Sequence, residues 1–174
     1  MAILSERHAS AVTGPHRVEA DKAAAASEWW LSVDPPQLAD VCATLRSDPR
    51  LAFDFLNNLT VVDYLATDKR QEKAVGEPRV EVVYHLSSLA RRRQLVVKAT
   101  LPRWDDDGEP PELPSVAHLW ATADWHEREA YDLGGVRFAG HPNLRRILCP
   151  EDWEGHPLRK DYTMPLEYHG IRGR

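Results

Sequence analysis

Apolar positions recur along the chain with two different periods, and the changes of period mark its elements. The run EWWLSV from Glu28 to Val33 is rich in aromatic and β-branched residues and predicts a first strand. Asp34 then stands where a helix cap belongs, with Pro35 at the first helical position. Leu38, Val41, Cys42 and Leu45 follow at helical spacing as one buried face, and the helix is expected to end near Asp48-Pro49. Leu51 to Leu56 (LAFDFL) alternates, and Leu59 to Leu65 (LTVVDYL) comes after Asn57-Asn58. This predicts either two strands around a turn or one long strand with a bend. Lys69 to Pro78 reads as a charged loop. Val80 to Leu86 (VEVVYHL) and Gln94 to Leu101 (QLVVKATL) read as strong strands, with Arg91-Arg92-Arg93 as the turn of a hairpin. Trp104 to Pro114 is an acidic, proline-containing loop, and Ser115 to Trp120 is one helical turn. A helix then starts at a capping Asp124, with Glu127 completing a capping box, and Gly134 and Gly135 supply its positive-φ stop.

This order is strand, helix, three or four strands, helix, tail. It predicts an α+β fold: a mixed or antiparallel sheet with helices packed on it, plus an extended irregular C-terminal segment. Three regions are expected: a weakly ordered segment over 1–27, with a short helix at Val18 to Ala26; an α+β domain over 28–133; and an extended partner-binding segment over 134–174. In the last of these, Gly140, Pro142, Pro150, Gly155, Pro157 and Pro165 recur too often for any long helix or central strand. Between them sit isolated anchors: Phe138, Leu144, Ile147, Leu148, Trp153, Leu158 and Tyr162. A strip of this kind has no core of its own, so it lies either on this domain or on another protein. Trp153, Tyr162, Arg145, Arg146 and Arg159 are residue types that dominate interface hot spots.

Length and composition narrow the class. The 174 residues suit one domain with an appendage, and 43% hydrophobic with 28% charged residues is ordinary for a globular chain. A net charge of −5, with bases and acids interleaved, carries no electrostatic footprint for nucleic acid. No apolar run approaches the roughly 20 residues of a membrane span, and no signal peptide is expected. Cys42 and Cys149 stand far apart, which predicts free thiols and a reducing compartment. Two thiols cannot supply the four thiolates of an ordinary iron–sulfur cluster.

Several chemistry-bearing patterns compete with plainer roles. His126-Glu127 opens a zinc-protease motif, but the second histidine is replaced by Ala130. Asp105-Asp106-Asp107-Gly108 resembles a calcium loop, yet Arg103 and Pro114 occupy positions that need acidic ligands. His141, Cys149 and His156 match no common zinc spacing; with Pro142 and Pro157 beside them, turn histidines bonded to backbone are the alternative. Glu127, Glu129 and Asp132 form a candidate acid/base set without a nucleophile or oxyanion loop, and 127 and 129 do not share a helix face. Neither a dinucleotide fingerprint nor a Walker loop is present. Asp132 lies in the last helical turn, where the macrodipole disfavours a negative charge. Either it forms a surface pair with Arg128, or both residues engage the following tail or a partner.

The stretch from Asp124 to Tyr162 resembles the signature of the 30 kDa subunit (the bacterial C-type subunit) of proton-pumping NADH:quinone oxidoreductase, respiratory complex I. The matching runs are EREAYD from Glu127, GVRFAGHP from Gly135, LRRIL from Leu144 and EDWEGHPLRKDY from Glu151. Leu51 to Leu65 and Val80 to Leu86 match more loosely, and Gly134 departs from the bulky apolar residue usual there. The resemblance implies a non-catalytic structural subunit of the hydrophilic arm. It would support the quinone-reducing module while electrons pass from NADH to quinone, coupled to proton translocation. It implies no catalytic, cofactor-binding or metal-binding residue in this chain; the complex is expected to use NADH, FMN, iron–sulfur clusters and a quinone. The implied partner is the 49 kDa-type quinone-site subunit, with other subunits of the arm. The implied place is the cytoplasmic face of the plasma membrane, peripherally, within a membrane-bound complex. The partner-binding residues carried by the signature are Glu127, Arg128, Glu129, Tyr131, Asp132, Phe138, His141, Pro142, Arg145, Arg146, Trp153, Gly155, Pro157, Leu158, Arg159, Lys160, Asp161 and Tyr162. Equivalent subunits of membrane-bound hydrogenases or other-donor dehydrogenases are the alternative, and a free-standing metal-assisted hydrolase is the rival of a different class. A chain ending at Gly135 is expected to fold but not to join the complex.

Overall fold

The computed structural model describes residues 2–17, 29–66, 72–104 and 108–172. The chain opens with helix α1 (Ala2–Arg7) and strand β1 (Val12–Arg17), followed by β2 (Trp29–Val33). A 3-10 turn (Pro35–Gln37) leads into α2 (Leu38–Ser47). Next come β3 (Phe55–Tyr64), the short α3 (Glu72–Val75), β4 (Arg79–Ser88), β5 (Arg93–Pro102), β6 (Glu112–Pro114) and α4 (Ala121–Gly134). β7 (Arg137–Ala139) and a terminal hairpin of β8 (Glu167–Tyr168) and β9 (Ile171–Arg172) complete the fold. The main sheet runs β1-β2-β5-β4-β3; β2 and β5 are parallel and the other pairs antiparallel. This is the mixed-sheet α+β layer that the pattern predicts.

The core sits between one face of this sheet and the helices. Leu31 and Val33, Val97 and Ala99, and Val80, Val82, Tyr84 and Leu86 supply the sheet side. Leu38, Val41, Cys42 and Leu45 of α2 are fully buried against them, as their helical spacing requires. β3 settles the alternative left open by its sequence. It is one strand with a bulge between Leu56 and Asn58. Strict alternation would put Leu56 and Leu59, three apart, on opposite faces. The extra residue lets both turn inward, and both are buried.

Three expectations give way to the fold. Residues 2–17 are not a loose leader: Leu4 and Ala11 enter the core, and β1 forms an edge of the sheet. Gly14-Pro15 occupies a bulge in that edge strand, where a missing N–H is tolerated. The strand expected over 51–56 begins only at Phe55. Within the loop before α4, β6 pairs in parallel with β7, so Leu113 and Phe138 extend the core. Three-residue strands beside prolines leave no periodicity to detect. The short helix expected at 18–26 and the aspartates at 105–107 lie outside the described residues.

Candidate functional site

α4 begins at Ala121, with Trp120 as its backbone cap, so Asp124 sits in the first turn and caps nothing. Glu127 is buried and reaches out of the helix instead. Its Oε2 accepts from the Ser115 hydroxyl at 2.6 Å and its Oε1 from the Val116 N–H at 2.7 Å. Burial pushes this carboxyl up to about 7, against the downward pull of the two hydrogen bonds, and nearby Asp124 adds to the rise. His141 is buried beside it: Nε2–H donates to the Asp124 carbonyl at 3.1 Å, and Nδ1 accepts from the Asn143 N–H.

The other end of α4 is built around Asp132, which is fully buried. Its Oδ1 accepts from Arg146 Nη1 at 2.7 Å. Its Oδ2 accepts from the backbone N–H groups of Ile147, Leu148 and Cys149 at 3.0, 2.7 and 2.8 Å. Burial by itself would raise this carboxyl; the Cys149 N–H, the Arg146 guanidinium and the other two N–H groups hold it below its ordinary value. Arg146 Nη2 continues to the Gly155 carbonyl, and His156 Nδ1–H donates to the Asp132 carbonyl at 2.9 Å. Arg128 donates to the carbonyls of Arg145 and Arg146, both at 3.3 Å. Of the two roles open to Arg128 and Asp132, the structure takes the second: they do not pair, and both hold the segment that follows. Gly135, at φ 78°, ends the helix, while Gly134 stays helical and lies flat against Val61.

A second clamp joins this strap to the sheet. Arg103 donates to both oxygens of Asp63 at 2.9 and 3.2 Å and pairs with Asp161 at 2.6 Å. Arg159, itself buried, makes a two-pronged bond to Asp161, donates to the Trp104 carbonyl and stacks 4.2 Å over the Trp104 ring. The two guanidiniums hold the Asp161 carboxyl well below the usual range. The Lys160 N–H donates to Asp63, and the Leu158 N–H to the Leu133 carbonyl. An open cleft of about 470 Å³ lies beside Trp104 and Tyr162. Beyond Tyr162, the terminal hairpin is held by Asp152, which accepts from the Tyr168 hydroxyl at 2.8 Å and stands 2.7 Å from His169 Nε2. Tyr168 packs on Trp153, with ring centroids 5.0 Å apart.

Most of the signature residues are thus gathered into one strap wrapped on α4. Phe138 is core, Tyr131 is half-buried beside His156, and Gly155 turns at φ 76° with the Tyr162 ring against it. Pro157 and Trp153 are half-buried. Glu129, Pro142, Arg145, Leu158 and Lys160 lie at the surface. The segment expected to extend from 134 is therefore packed on its own domain as far as Tyr162; the exposed apolar positions after it are Met164, Leu166 and Ile171. Glu127, Glu129 and Asp132 point to a loop, to solvent and to the strap, so they share no acid/base site. His141 and His156 bond carbonyls eight residues apart on α4, roughly 12 Å along its axis, and no group of three metal-ligating side chains occurs among the described residues. Asp63, Arg103, Trp104 and Ser115 carry no local signal for these roles in the sequence; Asp63 meets Lys160 across 97 positions, and nothing local announces such a contact.

Known proteins resemble this chain over most of its length. The family model described as "Respiratory-chain NADH dehydrogenase, 30 Kd subunit" matches residues 31–168. The C-type subunit of NADH-quinone oxidoreductase from Chloroherpeton thalassium is 48% identical over 129 residues, covering 74% of this chain and 47% of that protein. The chain spans about half the length of the first curated relatives it matches. A solved structure described as Nqo5 of a trypsin-resistant fragment is similar with a TM-score of 0.54 and 29% identity, covering 74% of this chain and 89% of that one. A chain in the structure of the membrane-bound sulfane sulfur reductase, an archaeal respiratory membrane complex, has a TM-score of 0.53 and 25% identity, with 94% of this chain and 82% of that chain covered. With its five-stranded sheet, its strapped α4 and a family match over most of its length, the chain belongs to the family of the respiratory-chain NADH dehydrogenase 30 kDa subunit.

Proposed function

We propose that the chain serves as a structural, non-catalytic subunit of the hydrophilic arm of an NADH:quinone oxidoreductase. It supports the quinone-reducing module while NADH, FMN, iron–sulfur clusters and quinone are handled by other subunits. The observation that carries this is how the signature's charges are used. Asp132, Arg146, Asp161 and Arg159 are spent on holding a strap in place, and the surface they shape displays Trp125, Leu148 and Leu158. A rigid display of this kind suits adhesion to a neighbour, and the 49 kDa-type subunit is the neighbour proposed. No helix among the described residues is long and apolar enough to cross a membrane; attachment to the cytoplasmic face through that neighbour is the corresponding placement.

The test is co-purification of the tagged full chain from detergent-solubilised membranes of its source. The expected result is a large quinone-reducing assembly containing a 49 kDa-type subunit, with loss of quinone reduction when the gene is deleted. A chain that elutes alone, with quinone reduction intact in the deletion strain, overturns the proposal. The likeness to a chain of the sulfane sulfur reductase favours a second reading, in which the same structural role is played in a complex with another electron donor. Donor-by-donor assay of the purified assembly separates the two.

A further inference from the structure

Holding the strap leaves one buried cation of the signature without a carboxylate among the described residues. Arg128 is only 8% exposed, yet it pairs with no carboxylate among the described residues. Its Nε and Nη2 make two long bonds to carbonyls, which leaves three of its five N–H groups without a protein acceptor. No carboxylate of α4 completes it. Asp132, one turn onward, is filled by Arg146 and three backbone N–H groups. Glu127 is turned inward to Ser115 and Val116. Glu129 is exposed, and Asp124 lies 3.5 Å from His141. None of the Arg128 nitrogens is both buried and without a bond, so its unbonded edge reaches the surface.

The guanidinium has an aromatic neighbour. The guanidinium lies 5.4 Å from the ring centroid of Trp125, which is 63% exposed. On the strap that Arg128 grips, Arg145 is exposed and Leu148 is 63% exposed. An exposed Trp beside a largely buried Arg is the composition of an interface hot spot, and a guanidinium whose open edge loses its water on docking gains most from a planar carboxylate. We infer that Trp125, Arg128, Arg145 and Leu148 form a docking surface for an acidic segment of a partner protein, with a partner Asp or Glu completing Arg128. Two cations with Glu129 and Asp124 close by fall short of the basic cluster that an anionic bilayer needs. This inference rests on the partner-binding role proposed above and names the surface and the chemistry of its counterpart.

The probe is the membrane assembly isolated from a strain lacking this chain, titrated with the purified full chain. Trp125→Ala and Arg145→Glu, both at exposed positions, are each expected to weaken binding at least tenfold. Leu89→Ala, on the β4–β5 turn, should bind as the wild type does. In the bound state, Arg128→Lys treated with a zero-length carbodiimide should couple to an Asp or Glu of the partner, identified by mass spectrometry. If the wild type binds and Trp125→Ala and Arg145→Glu bind equally well, the surface is wrong while the subunit role stands. If Arg128→Lys binds but couples to no carboxylate, the acidic counterpart is wrong. If the wild-type chain binds vesicles containing phosphatidylserine and Arg145→Glu does not, the patch belongs to lipid and the inference fails. Failure of the wild-type chain to bind the stripped assembly overturns the subunit role itself.

Discussion

Asp132 and Arg146 meet at 2.7 Å with the carboxylate entirely buried, and the second carboxylate oxygen gathers three consecutive backbone N–H groups. One side chain at the end of α4 thereby holds both the helix and the strap that crosses it. An Asp132→Asn variant keeps the shape but presents an amide where donors converge, and it leaves Arg146 without its counter-charge. The expected loss is about 3 kcal/mol or more, as for a broken buried pair. Urea unfolding monitored by circular dichroism measures it, and limited proteolysis should cut first between residues 145 and 155. Asp132's contribution is present above the ordinary carboxylate range and is lost as pH falls through its lowered folded value.

Glu127 has the opposite sign. Its folded value of about 7 stands above its ordinary 4.5, so between those limits the unfolded chain releases a proton that the folded chain keeps. Stability from this group is full below pH 4.5 and declines as pH rises to about 7, by about 3 kcal/mol in total. Glu127→Gln removes that slope. Thermal melts of both proteins from pH 4.5 to 8 test this: the difference between them should grow in favour of the Gln variant as pH rises, and parallel curves would contradict it.

Gly134 is held by sterics. A Cβ there would lie 2.1 Å from Val61 Cγ1, so the helix approaches β3 as closely as a glycine allows. Gly→Ala in a helix ordinarily stabilises by about 1 kcal/mol, but overpacking at such a contact costs about 1–3 kcal/mol. Gly134→Ala is expected to be less stable than the parent. The double variant Gly134→Ala with Val61→Ala should be more stable than Gly134→Ala alone, which a double-mutant cycle in urea measures.

Where the chain can be cut also follows from burial. The expectation that a chain ending at Gly135 would fold does not fit the structure, because Val136, Phe138 and Arg159 are buried in the body of the domain. A stop after Tyr162 removes the hairpin that Asp152 pins and the residues leading into it. It should keep the cooperative thermal transition of the full chain, whereas a stop after Gly135 should lose it. Calorimetry on the two truncations decides.

Asp152→Ala should free the terminal hairpin without unfolding the domain, since Asp152 is exposed and the hairpin's described hydrogen bonds to the body run chiefly through it. Hydroxyl-radical footprinting read at Trp153 should show several-fold greater modification in the variant. Unchanged protection would mean that packing of Tyr168 on Trp153 suffices to hold the hairpin.

Local period and residue type were enough for part of this fold. The apolar stripe of α2, the β4–β5 hairpin and the C-terminal signature are all written in neighbouring residues, and all appear in the fold. Burial of a periodic face is a local property, so Leu38, Val41, Cys42 and Leu45 needed no knowledge of the sheet. Which polar groups meet depends instead on the path of the whole chain. Glu127 looks like half of a capping box and serves Ser115 instead; Asp132 stands one turn from Arg128 and takes Arg146. A hydrogen bond forms with whichever donor the chain path brings within about 3 Å, and that path is set by packing across the whole sheet. For the same reason β1, with its glycine and proline, is a strand because β2 offers it an edge to pair with, and Asp63 meets Lys160 because the strap lies across the domain.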